Sequence, residues 1–115
     1  MNQLIKILVV DDDLDIVEIL KYNLKNAGYS VKSARNGIKA IKKAKKFIPD
    51  IILMDVMMPE MSGIEACSEI RKIDELNTTL IIFLSARTED FTQISAYDAG
   101  ADDYISKPIK PKILL

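Results

Sequence analysis

Asp50-Ile51-Ile52-Leu53-Met54-Asp55-Val56-Met57-Met58-Pro59-Glu60-Met61-Ser62-Gly63 sets the architecture of the chain around it. Ile51 to Met54 is a short, unbroken apolar run, the pattern of a strand buried on both faces. Asp55 stands where that strand should end. Pro59 and Gly63 punctuate the residues beyond it, which puts Asp55 at the mouth of a loop. In an open α/β sheet the ligand site lies outside the carboxyl ends of the strands. A carboxylate there is costly to bury unpaired, so Asp55 is read as the chemical centre.

Composition narrows the classes of function. A chain of 115 residues is one domain, 1–115, and is long enough to bury a core. It carries 16 basic and 17 acidic residues for a net charge of -1, so bulk charge favours neither nucleic acid nor an acidic membrane. The single cysteine, Cys67, excludes an internal disulfide. No histidine occurs, which removes His-based acid/base catalysis, Ser-His triads and His metal ligands together. No apolar run approaches the ~20 residues needed to span a bilayer, and the start lacks a signal-peptide pattern, so the expected location is the cytoplasm, with no membrane partner.

The strand-helix alternation is legible along the chain. Leu4 to Val10 is a short, β-branched, nearly continuous apolar run, interrupted by Lys6, that ends in Asp11-Asp12-Asp13. Ile16, Leu20, Leu24 and Ala27, with Val17 beside them, then share one helical face, and Gly28 stands where a left-handed cap would close that helix. The acidic cluster thus lies at a strand's carboxyl end and a helix's amino end, where the dipole favours carboxylates. A second strand is expected around Val31 and a turn at Asn36-Gly37. A helix carrying Ile38, Ile41, Ala44 and Ile48 on one side should come next, with Lys39, Lys42, Lys43, Lys45 and Lys46 as a solvated face. Ser62 with Glu65 fits a capping box, opening a helix lined by Ile64, Cys67, Ile70 and Ile73. Cys67 reads as a small buried apolar residue. Leu80 to Leu84 is a further strand ending at Ser85. Phe91, Ile94 and Tyr97 mark a fourth helix, and Asp103 to Ile105 a fifth strand before Lys107-Pro108. Pro111 to Leu115 reads as the opening turn of a fifth helix cut short, so the domain is expected to be truncated at its C-terminal end. Loss of that helix should expose apolar surface and favour association.

In an α/β domain with a parallel sheet and right-handed crossovers, Asp11, Asp12, Asp55, Ser85 and Lys107 come from the ends of different strands on one edge. Asp13 and Asp15 read as helix-capping and turn residues. Carboxylates ~4 Å apart repel by ~4 kcal/mol at an effective dielectric of 20, so a cation is expected between them. Oxygen ligands alone leave Mg²⁺, Mn²⁺ or Ca²⁺. Mg²⁺ fits best, because it uses one or two carboxylates and keeps room for phosphate oxygens. Asp11-Asp12-Asp13-Leu14-Asp15 lacks the ligand spacing of an EF-hand.

Leu8-Val9-Val10-Asp11-Asp12-Asp13, Asp50 to Pro59, Ser85-Ala86 and Gly100-Ala101-Asp102-Asp103-Tyr104-Ile105-Ser106-Lys107-Pro108 together resemble the receiver domain of two-component response regulators. The resemblance implies a flavodoxin-like, doubly wound, five-stranded parallel sheet of order 2-1-3-4-5. It implies that Asp55 is the phosphoacceptor, charged by a sensor histidine kinase. Asp12, Asp55 and the backbone carbonyl of Met57 would hold Mg²⁺ (or Mn²⁺), with Asp11 acting through an intervening water. Ser85 and Lys107 would bind phosphoryl oxygens, and Tyr104 would be the aromatic switch. Met57 and Arg87 would tune how fast the phosphoryl group is lost. Lys107-Pro108 matches a bond that is usually cis in the family. Asp102 and Asp103 resemble acidic positions that pair across a homodimer on the face of the fourth helix, fifth strand and fifth helix. The implied role is a regulatory switch, not an enzyme, with DNA contacted only through an output domain absent from this chain. The ending leans toward a winged-helix transcription factor, the other possibility being a stand-alone or differently coupled receiver.

Other classes fit less well. A flavin carrier of this fold class needs a Ser/Thr/Gly-rich phosphate loop after the first strand, where this chain has three aspartates. A metal-dependent phosphatase or nuclease would use Asp11, Asp12 and Asp55, but no substrate-recognition element or general base accompanies them. A receiver used only for docking would not need the joint set Asp12, Asp55, Ser85 and Lys107.

Overall fold

The computed structural model describes residues 4–85 and 99–106. Its elements alternate as the sequence pattern requires. They are β1 (Lys6–Val10), α1 (Leu14–Asn26), β2 (Ser30–Ala34), α2 (Gly37–Phe47), β3 (Ile51–Asp55), α3 (Gly63–Arg71), a short 3-10 helix (Asp74–Leu76), β4 (Leu80–Ser85) and β5 (Asp103–Ser106). The strands pair in parallel in the order β2-β1-β3-β4-β5. The chain thus forms a doubly wound α/β sheet whose β1/β3 junction is the point where the winding reverses. The fourth helix expected over Phe91 to Tyr97 and the opening of a fifth over Pro111 to Leu115 lie outside the described residues.

Strand alternation builds the core in two layers. Along β1, Ile7 and Val9 join Val17, Leu20, Leu24, Val31, Leu53 and Leu84 in a cluster under α1. Leu8 and Val10 point the other way, into a larger cluster with Ala40, Ala44, Phe47, Ile52, Met54, Cys67, Ile70 and Phe83 under α2 and α3. A period of two can fill both layers only if every position is apolar, which is why the central strands read as continuous runs.

Helix ends are set by identifiable residues. Asp13 caps α1 through Oδ1, which accepts from the backbone N–H of Asp15 at 3.0 Å and of Ile16 at 3.4 Å. Gly28 comes after that helix at φ 100°, the left-handed conformation expected of it. Asn36 caps α2 by accepting from Lys39 N–H at 2.8 Å, and Ser62 caps α3 by accepting from Glu65 N–H at 3.2 Å.

Three local expectations are corrected. On α2 the buried face is Gly37, Ala40, Ala44 and Phe47, while Ile38 is 41% exposed. The helix approaches α3 and its loop through small residues: a Cβ on Gly37 would lie 2.9 Å from Met61 Cγ. Ile48 closes α2 in a left-handed turn (φ 47°) instead of continuing it. On α1, Ala27 is exposed and serves as the C-cap, so the buried stripe is Val17, Leu20 and Leu24. Ile73 lies beyond α3, which ends at Arg71, and it leads into the 3-10 helix, whose Leu76 is fully buried.

Candidate functional site at the carboxyl edge of the sheet

β1 and β3 are neighbours in register, with Val10 opposite Met54, so the residues just past them emerge side by side. Asp11 is the first residue past β1. Its N–H still donates to the Ala34 carbonyl at 3.2 Å, which holds it against the end of β2. The side chain is fully buried, and its Oδ1 accepts from Asp13 N–H at 2.9 Å. Asp12, next along, turns outward and is exposed. Asp55 ends β3 opposite Leu84 and is only 6% exposed.

The loop after Asp55 is shaped to keep that residue in place. Val56 N–H donates to Leu84 O at 3.1 Å, and Gly63 N–H returns to Val56 O at 2.9 Å. A Cβ at Gly63 would sit 2.1 Å from the Asp55 carbonyl oxygen and 3.1 Å from the Phe83 ring, so only glycine allows α3 to begin this close behind Asp55. Between them Glu60 takes a left-handed φ of 70°. Met57, at the loop's start, has a side chain 75% exposed.

One carboxylate oxygen from each of Asp11, Asp12 and Asp55 falls within 4.8 Å of the others. Three oxygen donors this close, two of them on buried side chains, are the donor set of a hard divalent cation such as Mg²⁺ or Mn²⁺. The residues therefore fit the metal expected from the sequence. The only thiol takes no part. Cys67 lies on α3, fully buried, with its Sγ 3.3 Å from Ala99 O. Burial pushes that thiol up to about 11, with Arg71 lowering it and Asp102 adding to the rise.

The remaining expected residues divide by location. Ser85 ends β4 in register with Ser106, and Tyr104 lies in β5 opposite Phe83. Arg87 and Lys107 lie outside the described residues.

Arg71 is a structural group that the sequence pattern does not single out. Its guanidinium donates to Gly100 O at 2.8 Å, Thr79 O at 2.7 Å and Leu76 O at 3.3 Å, and it pairs with Asp102 Oδ2 at 2.6 Å. The same Asp102 oxygen accepts from Ile81 N–H at 2.8 Å. Asp102, which resembles a dimer-pairing position, is thus engaged within its own chain. Gly100 and Asp102 lie about thirty residues away in sequence, and a lone Arg in a helix's last turn reads as an ordinary match to the dipole.

The fold and the acidic edge define an α/β domain of the flavodoxin-like kind, and comparison with known proteins gives the family. Residues 7–115 match the response regulator receiver domain, and the chain belongs to that family. It is 44% identical over 107 residues to the alkaline phosphatase synthesis transcriptional regulatory protein PhoP of Bacillus subtilis (strain 168), covering 93% of this chain and 44% of PhoP. The chain therefore spans less than half the length of that relative. Among solved structures, the chemotaxis protein CheY4 of Vibrio cholerae superposes with a TM-score of 0.94 at 33% identity, covering 97% of this chain and 93% of CheY4. The receiver domain of the sensor histidine kinase PA1611 from Pseudomonas aeruginosa PAO1, which has a magnesium ion in its active-site cleft, superposes at 0.89 with 31% identity, covering 97% of this chain and 92% of that one. No helix among the described residues is long and apolar enough to cross a membrane.

Proposed function

We propose that this chain is the Mg²⁺-dependent phosphoacceptor switch of a two-component system, with Asp55 taking a phosphoryl group from the phosphohistidine of a sensor histidine kinase. The observation that carries this reading is the convergence of Asp11, Asp12 and Asp55 within 4.8 Å, with Asp55 itself the last residue of a central strand. In the transfer, an Asp55 carboxylate oxygen forms the new O–P bond as the P–N bond to the donor imidazole breaks. The electron pair stays on the imidazole nitrogen.

Phosphoryl transfer needs alignment and charge neutralisation more than covalent machinery. Asp12, Asp55 and the Met57 carbonyl would hold Mg²⁺ directly, with Asp11 in support. When bound, that ion supplies neutralisation of charge on the phosphoryl oxygens. Ser85 would donate to one phosphoryl oxygen and Lys107 would pair with another, both as charge-assisted contacts. Drawing Ser85 toward the phosphoryl group would free space for Tyr104 to turn inward and repack the neighbouring face. Met57 and Arg87 would flank the site and set access of water to the acyl phosphate.

The output is transcriptional control through a DNA-binding domain, of winged-helix type, elsewhere in a longer protein. The support is the relative PhoP, named a transcriptional regulatory protein, of which this chain matches 44%. The chain acts as a switch whose chemistry concerns its own phosphorylation, at work in the cytoplasm. Homodimerisation through the face of the fourth helix, fifth strand and fifth helix belongs to the same proposal. Asp102 would have to exchange Arg71 for a partner across the dimer to take part in it.

Intact mass after incubation with acetyl phosphate and Mg²⁺ tests the acceptor role. The expected result is one phosphoryl addition, absent from Asp55→Ala and absent with a chelator. An addition that survives Asp55→Ala would overturn the assignment.

A further inference from the structure

We propose that the groove between the start of α1, the end of β2 and α2 is a binding site for a small phosphate-bearing anion. The groove has a volume of about 210 Å³ and is lined by Arg35, Lys39 and Lys43, with Ser33, Asp11 and the apolar Leu14, Val17 and Ala34 completing its walls. That is below the ~300–1,000 Å³ typical of drug-sized ligands, so the occupant is small.

The charges are arranged around one space. Lys39 and Lys43 are four residues apart on α2 and so share a helical face, where like charges repel. Asn36 fixes the first turn by accepting from Lys39 N–H at 2.8 Å, which holds the direction in which the Lys39 side chain leaves the helix. The Lys43 ammonium donates to the Ser33 carbonyl oxygen, which anchors it at the groove wall with two further donors to offer. Arg35 adds a planar fork suited to two phosphate oxygens. Among the described residues the ion pairs are Arg71–Asp102 and Lys72–Glu69, so none of the three cations is neutralised that way. The one carboxylate in the wall, Asp11, is turned to Asp13 N–H and to the acidic cluster.

The surroundings reinforce this. Residues 30–48 hold seven of the chain's 16 basic residues and none of its 17 acidic ones. A chain of net charge -1 therefore presents one strongly positive edge, which concentrates anions at the groove mouth. Leu14, 63% exposed, offers an apolar wall to any carbon attached to the phosphate.

The test titrates inorganic pyrophosphate into the ¹⁵N-labelled chain, free of divalent metal and at fixed ionic strength, and tracks the backbone amides. Measured on the unphosphorylated, metal-free chain, the outcome is independent of whether Asp55 is the phosphoacceptor. Saturable one-site shifts should centre on Ser33, Arg35, Lys39 and Lys43. The double variant Arg35→Gln/Lys39→Gln should weaken binding by about tenfold or more, as loss of two charge-assisted contacts implies. Lys42→Gln/Lys46→Gln, on the same helix but outside the groove, should change it by less than about threefold, the scale of a screened surface charge. A parallel titration with propyl phosphate and orthophosphate separates an organic phosphate, favoured by the Leu14 wall, from an inorganic one. Shifts that never saturate, or equal weakening in the two double variants, would reduce the groove to a diffuse basic surface and overturn the proposal.

Discussion

Gly63 holds Asp55 in place by having no side chain. Gly63→Ala would force a Cβ to within 2.1 Å of a backbone oxygen, where no flexible atom can yield. The expected cost is ~1–3 kcal/mol of stability, the range for overpacking, read as a lower urea midpoint. Under the proposed mechanism phosphorylation should slow as well, because the backbone that carries the Asp55 carboxylate must move. In the sequence Gly63 is legible as a break in the chain. Its spatial role is not, since the clash is with a residue whose position depends on the whole β3–α3 loop.

Cys67 gives a prediction with a definite sign. Its thiol ionises at about 11 in the folded chain against an ordinary value of 9.0, chiefly because burial disfavours the thiolate. The unfolded chain therefore releases this proton first as pH rises. The stabilisation is complete below pH 9.0 and is lost as pH climbs towards about 11. Cys67→Ala should remove this component, so the stability difference between wild type and variant narrows over that window in paired denaturant melts. A difference independent of pH would contradict the burial account. Reading Cys67 as a small buried residue was within reach of the sequence, because Ile64, Cys67 and Ile70 fall at helical spacing around it.

At the scale of elements, Arg71 ties the end of α3 to the starts of β4 and β5. Arg71→Met should destabilise the chain by ~1.5–3 kcal/mol, the range for hydrogen bonds to a charged group. Asp102→Asn should cost less, because the amide oxygen can still accept from Ile81 N–H and the carboxylate it replaces is 43% exposed. Urea melts of both variants check the order, and an equal loss in both would mean that the ion pair outweighs the three backbone contacts. No local pattern could reveal this clasp. Helix faces fared unevenly for a related reason. On α1, Leu20 and Leu24 with Val17 beside them were legible from their helical spacing, while Ala27, read onto the same face, is the exposed C-cap. On α2, three isoleucines outweighed the alanines in the pattern, yet close packing against α3 and Met61 favours small residues and turns Ile38 outward. The 3-10 helix left no periodic signal, being a single turn whose one buried anchor is Leu76.

At the scale of the molecule, the doubly wound class and the acidic edge were legible together, because the apolar runs fix which residues stand at strand ends. Leu8, Val10, Ile52 and Met54 can be buried only if Asp11 and Asp55 emerge at the same edge. That geometry predicts a response of the whole chain to Mg²⁺. An ion bound by the folded state alone stabilises it by RT ln(1 + [L]/Kd), about 1.4 kcal/mol at tenfold excess over Kd. Thermal melts should therefore shift upward with Mg²⁺. Asp12→Asn should abolish the shift while leaving the metal-free chain as stable as wild type or slightly more so, since one of three crowded carboxylates is neutralised. An undiminished shift in Asp12→Asn would place the ion elsewhere.

In the proposed mechanism Asp55, and no other carboxylate of the cluster, carries the phosphoryl group. Borohydride reduction of the acetyl phosphate-treated chain converts an aspartyl phosphate into homoserine, and peptide mass mapping then locates it. The expected product is homoserine at position 55 alone, with Asp11 and Asp12 unmodified. Homoserine at position 11 or 12, with Asp55 intact, would contradict the mechanism.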